Sequence, residues 1–357
     1  MAYTIIDDPT LYFSTTLYTG NAADDRAVTI DGTGMQPDMV WNKSRSLGEG
    51  HVLGDSVRGV QRKIVPNDTD AQSSSSSFTN FSTITSTGFT VSKGGVDGAV
   101  NQNAATYCNW AWKAGTSFTN DASGTSIGSI DSAGSVSSIS GFGICTHTGT
   151  GSAGTIKHGL STIPNVIITK ILSEANDWAV LHSGGVADYE TDRFIFNEAS
   201  AAGDSDVVWN DTKPTASVFS VGTSNMTNKN TATYVSYLFH DVQGYSKFGS
   251  FIGNGNADGA FIYTGFSPAW VVVKRSDDSN GWLMNDNKRS PFNVSSAKLE
   301  THLGSAESSF VALDFLSNGF KIRTNDADMG ASGGTYIYMA FAQQPFVTST
   351  GVPATAR

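Results

Sequence analysis

The chain has 357 residues; 39% are apolar, only 15% are charged, and 38 are glycine. That length gives room for two or three domains with cores of their own. Scarce Lys and Glu among abundant Ser, Thr and Asn leave few helix formers and many turn formers, and the net charge of −10 argues against nucleic-acid binding, which needs a basic stripe.

Residues 1–16 read as an N-terminal leader or anchor. Met1-Ala2-Tyr3-Thr4-Ile5-Ile6 lacks the positive start and long apolar segment of a secretory signal, and Asp7-Asp8-Pro9 is a turn-like break. No stretch approaches the ~20 apolar residues of a membrane span. A first unit covers 17–113. It opens with Leu17-Tyr18-Thr19-Gly20-Asn21, continues through Val28-Thr29-Ile30 and the apolar run after Pro37, and has a charged middle with Asp55, Arg58, Arg62 and Lys63. The tract from Gln72 to Ser77, almost all Ser, is expected as an exposed loop. Gly88-Phe89-Thr90-Val91 and the run around Tyr107 close the unit.

Residues 114–140 are rich in Ser and Gly and read as a linker. The spaced Ile127, Ile130, Val136 and Ile139 predict that it lies along a surface. A second unit, 141–246, starts at Phe142-Gly143-Ile144-Cys145 and ends in the run around Tyr234. A third, 247–347, contains Ala260-Phe261-Ile262-Tyr263, the Pro268 run and Gly319-Phe320-Lys321-Ile322. Almost nothing separates these two, so they are expected to pack as a fixed pair with Tyr245 and Phe248 at the join. Residues 348–357 read as a loose C-terminal tail. Two cysteines, Cys108 and Cys145, cannot make a disulfide framework; half-buried thiols and folding in a reducing cytoplasm are expected.

Two markers make the three units copies of one another. Ala105-Thr106-Tyr107, Ala232-Thr233-Tyr234 and Gly334-Thr335-Tyr336 each open a β-branched and aromatic run, and Pro37, Pro164 and Pro268 are each followed six residues on by Lys43, Lys170 and Lys274. The Pro steps are 127 (37 to 164) and 104 (164 to 268); the Tyr steps are 127 (107 to 234) and 102 (234 to 336). Self-similarity of this kind fixes architecture first. With seven or eight short strands per unit, the reading is all-β, with three tandem antiparallel β-sandwich domains. In the third copy Tyr336, Tyr338 and Ala340 alternate with Ile337, Met339 and Phe341, so the repeated strand is expected to be central and covered on both faces.

Chemical motifs are few. Gly149-Thr150-Gly151-Ser152-Ala153-Gly154 fits a dinucleotide-loop pattern, which requires a following helix; the residues after it predict a strand. Gly330-Ala331-Ser332-Gly333-Gly334 fits a nucleophile elbow but also leads into a strand. Of His51, His147, His158, His182, His240 and His302, none has H-x-x-x-H spacing; His147 and His158 are the pair a hairpin would bring face to face, and metal binding is left open there. Asp24-Asp25, Asp204/Asp206, Asp277-Asp278 and Asp326/Asp328 sit in loops whose oxygens suit calcium, although solvated turns account for them. Trp41, Trp178, Trp209, Trp270 and Trp282 would stack on sugars if exposed; core packing is the plainer reading. No catalytic residue and no cofactor are nominated.

Several strings carry a resemblance. Leu17-Tyr18-Thr19-Gly20-Asn21 with Gln36-Pro37-Asp38, Asp55-Ser56-Val57-Arg58-Gly59, Gly244-Tyr245-Ser246-Lys247-Phe248-Gly249, Tyr263-Thr264-Gly265-Phe266 with Pro268-Ala269-Trp270, Asp314-Phe315-Leu316-Ser317-Asn318-Gly319-Phe320 and Thr335-Tyr336-Ile337-Tyr338-Met339-Ala340-Phe341 resemble tandem-domain virion proteins of marine bacteriophages. The resemblance implies jelly-roll repeats of laminin-G or concanavalin type and a structural, non-enzymatic role in a tail fibre or a capsid or tail decoration. It also implies other virion proteins as partners and a homo-oligomer, with a trimer expected by analogy. Neither nucleic acid nor membrane insertion is implied. Host-glycan binding is a distinct expectation. A polysaccharide-cleaving enzyme would need two facing carboxylates, and no pair stands out.

Overall fold

The computed structural model describes residues 3–32, 34–73, 81–92, 98–184 and 188–355. The protein is all-β, with antiparallel sheets. In the first unit the strands are β1 (Phe13–Thr19), β2 (Arg26–Thr29), β3 (Met39–Ser44), β4 (Val52–Asp55), β5 (Phe81–Thr85), β6 (Gly88–Val91) and β7 (Thr106–Trp112). One sheet runs β1-β7-β3-β4 and a smaller one, β2-β6-β5, lies across it.

Next come β8 (Thr116–Asn120), α1 (Ala122–Thr125), β9 (Ser132–Ser137), β10 (Phe142–Thr148), β11 (Gly154–Lys157), β12 (Val166–Ile171), β13 (Ala179–His182), β14 (Asp192–Ile195) and β15 (Gly203–Asp204). α2 (Asp206–Trp209), β16 (Val218–Val221) and β17 (Thr233–Phe239) complete the second unit. Its main sheet has the order β15-β14-β13-β12-β17-β10-β9-β8, with β11-β16 beside it. Residues 114–140, expected as linker, therefore supply two strands. β9 pairs with β10 along six residues and β8 pairs with β9, with the spaced Ile130 and Val136 buried.

The third unit contains β18 (Ser246–Ile252), β19 (Phe261–Tyr263), β20 (Phe266–Arg275), β21 (Trp282–Asp286), β22 (Ser295–Glu300), β23 (Ser308–Leu316), β24 (Gly319–Ile322) and β25 (Thr335–Pro345). One sheet, β18-β25-β20-β21-β22-β23-β24-β19, curls so that Leu313 and Phe315 of β23 and Phe320 of β24 cover Val271 and Val273 of β20.

The repeated strand is central in all three units. β7 lies between β1 and β3, β17 between β10 and β12, and β25 between β18 and β20. Its alternating residues serve two cores, as expected. Tyr336, Tyr338 and Ala340 enter the unit's own core, whereas Ile337, Met339 and Phe341 enter a core shared by all three units. Each repeated Tyr is a latch. Tyr107 Oη donates to the Gly98 carbonyl and accepts from Gln102 N; Tyr234 does the same with Asn225 and Lys229, and Tyr336 with Ala327 and Ala331. A flat ring stacks on each latch: Tyr18 on Tyr107 at 5.0 Å, His147 on Tyr234 at 4.8 Å, and Phe251 on Tyr336 at 5.1 Å.

The shared core has a pseudo-threefold axis. Trp112, Phe239 and Phe341 occupy the same position on the three central strands, and their ring centroids lie 6.3, 5.6 and 5.8 Å apart. Trp41, Trp110 and Trp270 pack beside them. A cavity of about 20 Å³ among Met39, Trp41, Ile168, Phe196 and Met339 is walled by apolar groups, so it stays dry. Tyr245 and Phe248 both lie in this core. In the leader, Thr4, Ile6 and Pro9 are buried, and Phe13 to Thr16 already belong to β1. Asp7 accepts hydrogen bonds from the Ser349 backbone and hydroxyl in the tail. Of the Ser-rich tract, 74–77 lie outside the described residues.

Candidate functional site

The units meet at three seams built from one kit. Lys43, Lys170 and Lys274 are buried, and each Nζ donates to a carbonyl of the neighbouring unit: Gly304, Thr69 and Ala199, at 3.1, 2.8 and 3.3 Å. Burial pulls each lysine down to about 8. Eight residues further on, His51, Trp178 and Trp282 reach the same neighbours, donating to Glu300, Val65 and Ile195 carbonyls at 2.9, 3.2 and 3.0 Å. A third set lies four residues beyond. Asp55 accepts from Tyr237 of the second unit at 2.6 Å, Asp286 accepts from Trp110 of the first at 3.3 Å, and His182 donates to the Tyr338 carbonyl of the third at 3.1 Å. Through this third set the first unit meets the second, the second the third and the third the first, whereas the lysine and His or Trp sets run the opposite way round the ring.

Two seams place an ion pair at this level. Asp55 pairs with Arg58 at 2.6 Å, and Asp286 pairs with Arg289; all four side chains are nearly or fully buried. Beyond the pair the seams diverge. Between the third and first units, Glu307 lies between Arg289 (3.3 Å) and Arg45 (2.7 Å), and its backbone N–H donates to the Arg45 carbonyl. The corresponding backbone bond between the first and second units runs from Gln72 to Leu172. There a neutral amide replaces the carboxylate, an apolar side chain replaces the guanidinium, and Arg58 Nη1 donates to Gln72 Oε1 at 2.8 Å.

That exchange accompanies an open cleft of about 550 Å³. One wall is Arg58, Arg62 and Gln72 of the first unit; the floor is formed at the ends of β9, β10 and β17 of the second unit, with Ser132, Thr146, Thr148 and Thr233. Thr148 and Thr233 are cross-strand partners and both are exposed. Arg62 is exposed and forms no ion pair among the described residues. Asp131 stands on the far side, its Oδ1 accepting from Ala122 N at 2.8 Å.

The residues singled out from sequence are distributed differently. His147 and His158 do not face each other: His147 Nε2 donates to Thr227 and stacks on Tyr234, and His158 Nε2 donates to Thr215. Burial lowers His147, His158 and His182 to about 4 and His51 to about 3, so all are neutral. No cluster of three His, Cys, Asp or Glu suited to a metal occurs among the described residues. Trp41, Trp178, Trp209, Trp270 and Trp282 are core residues. The two Gly-rich motifs lead into β11 and β25. Cys108 and Cys145 are fully buried, and burial raises both thiols, Cys145 to about 12. Of the cleft residues, the charged middle had marked Arg58 and Arg62; Thr233 was marked only within the repeated strand and Gln72 only as the start of a loop tract, and none of Gln72, Leu172, Thr148 and Thr233 had been singled out for function.

Fold and seams define an all-β protein whose repeated sheets close around a common axis. A family described as "Domain of unknown function (DUF7483)" matches residues 8–345, and the chain belongs to it. No curated protein and no solved structure matches the chain.

Proposed function

We propose that this protein is a structural component of a bacteriophage virion, a fibre or a capsid or tail decoration, made in the host cytoplasm and carried on the particle. In this reading the three units are copies of one jelly-roll-type β-sandwich. The observation that carries it is the closed ring of seams. Three sheets share one aromatic core, and each repeated lysine, each His or Trp eight residues on and each Asp or His four beyond reaches a neighbouring unit. Such a body is rigid and presents three related outer faces, properties suited to a passive part of a larger assembly. Its partners are other virion proteins and further copies of itself, a trimer being the order proposed. Mass spectrometry of purified particles, with native mass spectrometry of the isolated protein, tests both statements; particles that lack the chain overturn the first.

A second reading is favoured by one observation, the cleft of about 550 Å³ at the seam between the first and second units. It makes the protein a host-glycan-binding module as well. Binding to a host-derived polysaccharide, lost when the cleft is filled, supports this reading; a protein that ignores host polysaccharide removes it.

A further inference from the structure

We infer that the cleft between the first and second units binds an acidic oligosaccharide, with Arg62 holding a sugar carboxylate and Thr148 and Thr233 reading adjacent hydroxyls. This rests on the cleft being a saccharide site and adds the chemistry of its ligand. The internal comparison carries the argument. At the seam between the third and first units, Arg289, Glu307 and Arg45 satisfy one another. Arg289 and Glu307 border a smaller hollow of about 360 Å³ there, whereas their counterparts Arg58 and Gln72, with Leu172, line the larger cleft. Glu307 with its two arginines shows what a carboxylate does at such a seam. In the cleft Gln72 stands where that carboxylate would be, and Arg62 beside it has no ion-pair partner among the described residues.

A guanidinium with no ion-pair partner among the described residues is a local exception on a chain of net charge −10. Its planar fork matches a carboxylate with two parallel hydrogen bonds. The hydroxyls of Thr148 and Thr233 have no protein partner among the described residues and lie side by side on the floor; each can donate and accept. Asp131 across the cleft is placed to accept from a sugar hydroxyl. The volume, about 550 Å³, falls within the roughly 300–1,000 Å³ of small-ligand sites. Recognition must use charge and hydrogen bonds, because all seven tryptophans are 4% exposed or less and offer no ring to a sugar face.

The test is calorimetric titration of the full chain at low salt with a galacturonate trimer, its methyl ester and maltotriose. We expect the acid to bind at least about tenfold more tightly than either neutral trimer, from the loss of a charge-assisted hydrogen-bond pair. Arg62→Ala, an exposed position, should weaken the acid by the same factor with an unchanged thermal midpoint. The double variant Gln72→Glu/Leu172→Arg rebuilds the arginine–glutamate–arginine triad and should abolish binding. Equal binding of acid and ester overturns the anionic assignment while leaving the cleft a saccharide site. Acid binding that survives Arg62→Ala overturns the placement, and no binding of any trimer overturns both readings.

Discussion

Two residues show why the repeat markers are where they are. The tyrosine that opens each central strand ties down the loop before it, through a carbonyl nine residues back and an amide five back. Removing its hydroxyl leaves two backbone groups without that partner, so Tyr234→Phe or Tyr336→Phe should cost about 1–3 kcal/mol. Urea unfolding of the two variants measures it, and similar losses are expected at both because the bonds are the same. The lysine after each Pro is buried but capped by carbonyls of its own and the next unit. Its depressed proton affinity means the unfolded chain binds more protons between about pH 8 and 10.5, so its contribution to stability grows as pH rises through that window. A thermal midpoint that rises from pH 7.5 to 9.5, and a smaller rise in Lys170→Met, would show it.

At the scale of strands and loops, the histidines make the seams sensitive to acid. His51 and His182 are held neutral, each with Nδ1 accepting and Nε2 donating across a seam. Their folded proton affinities lie below the ordinary value near 6.5, so the unfolded chain takes up more protons, and stability is lost as pH falls from about 6.5 toward 4. Each is worth up to roughly 3 kcal/mol over that window, and with His147 and His158 the total is comparable with the ~5–15 kcal/mol that holds an ordinary domain together. Unfolding free energies measured between pH 7 and 4.5 should fall steeply, and His182→Gln should flatten the slope by about one proton. These elements also show what was legible beforehand. The repeated strand was readable because alternating large residues must be covered on both faces. β8 and β9 were not, because Thr116–Asn120 and Ser132–Ser137 consist mostly of small polar residues and pair only because a sheet edge is there to receive them. The cleft was half legible. Its arginines stand out as charge, whereas Gln72 and Leu172 acquire meaning only against Glu307 and Arg45, a correspondence that the seams define and linear spacing does not.

For the whole molecule, the shared core makes the three units interdependent. A ring that meets at Trp112, Phe239 and Phe341 leaves each sheet with an uncovered apolar face if one neighbour is lost. We therefore expect a single cooperative transition by calorimetry, and residues 247–347 alone should not give a sharp transition. Trp112→Ala should cost about 3–5 kcal/mol and lower amide-exchange protection in all three units together; loss confined to the first would contradict a common core.

The indoles at the centre give this molecule a built-in optical gauge. Trp41, Trp110, Trp112 and Trp270 hold one another at 5.6 to 6.5 Å in fixed, tilted orientations, and they come from two different units. Chromophores locked this way give intense near-ultraviolet dichroism, which vanishes when tertiary packing loosens even while strands persist. Parting of the first and third units would thus silence that signal before the far-ultraviolet spectrum changed, so opening of the ring can be watched without any label.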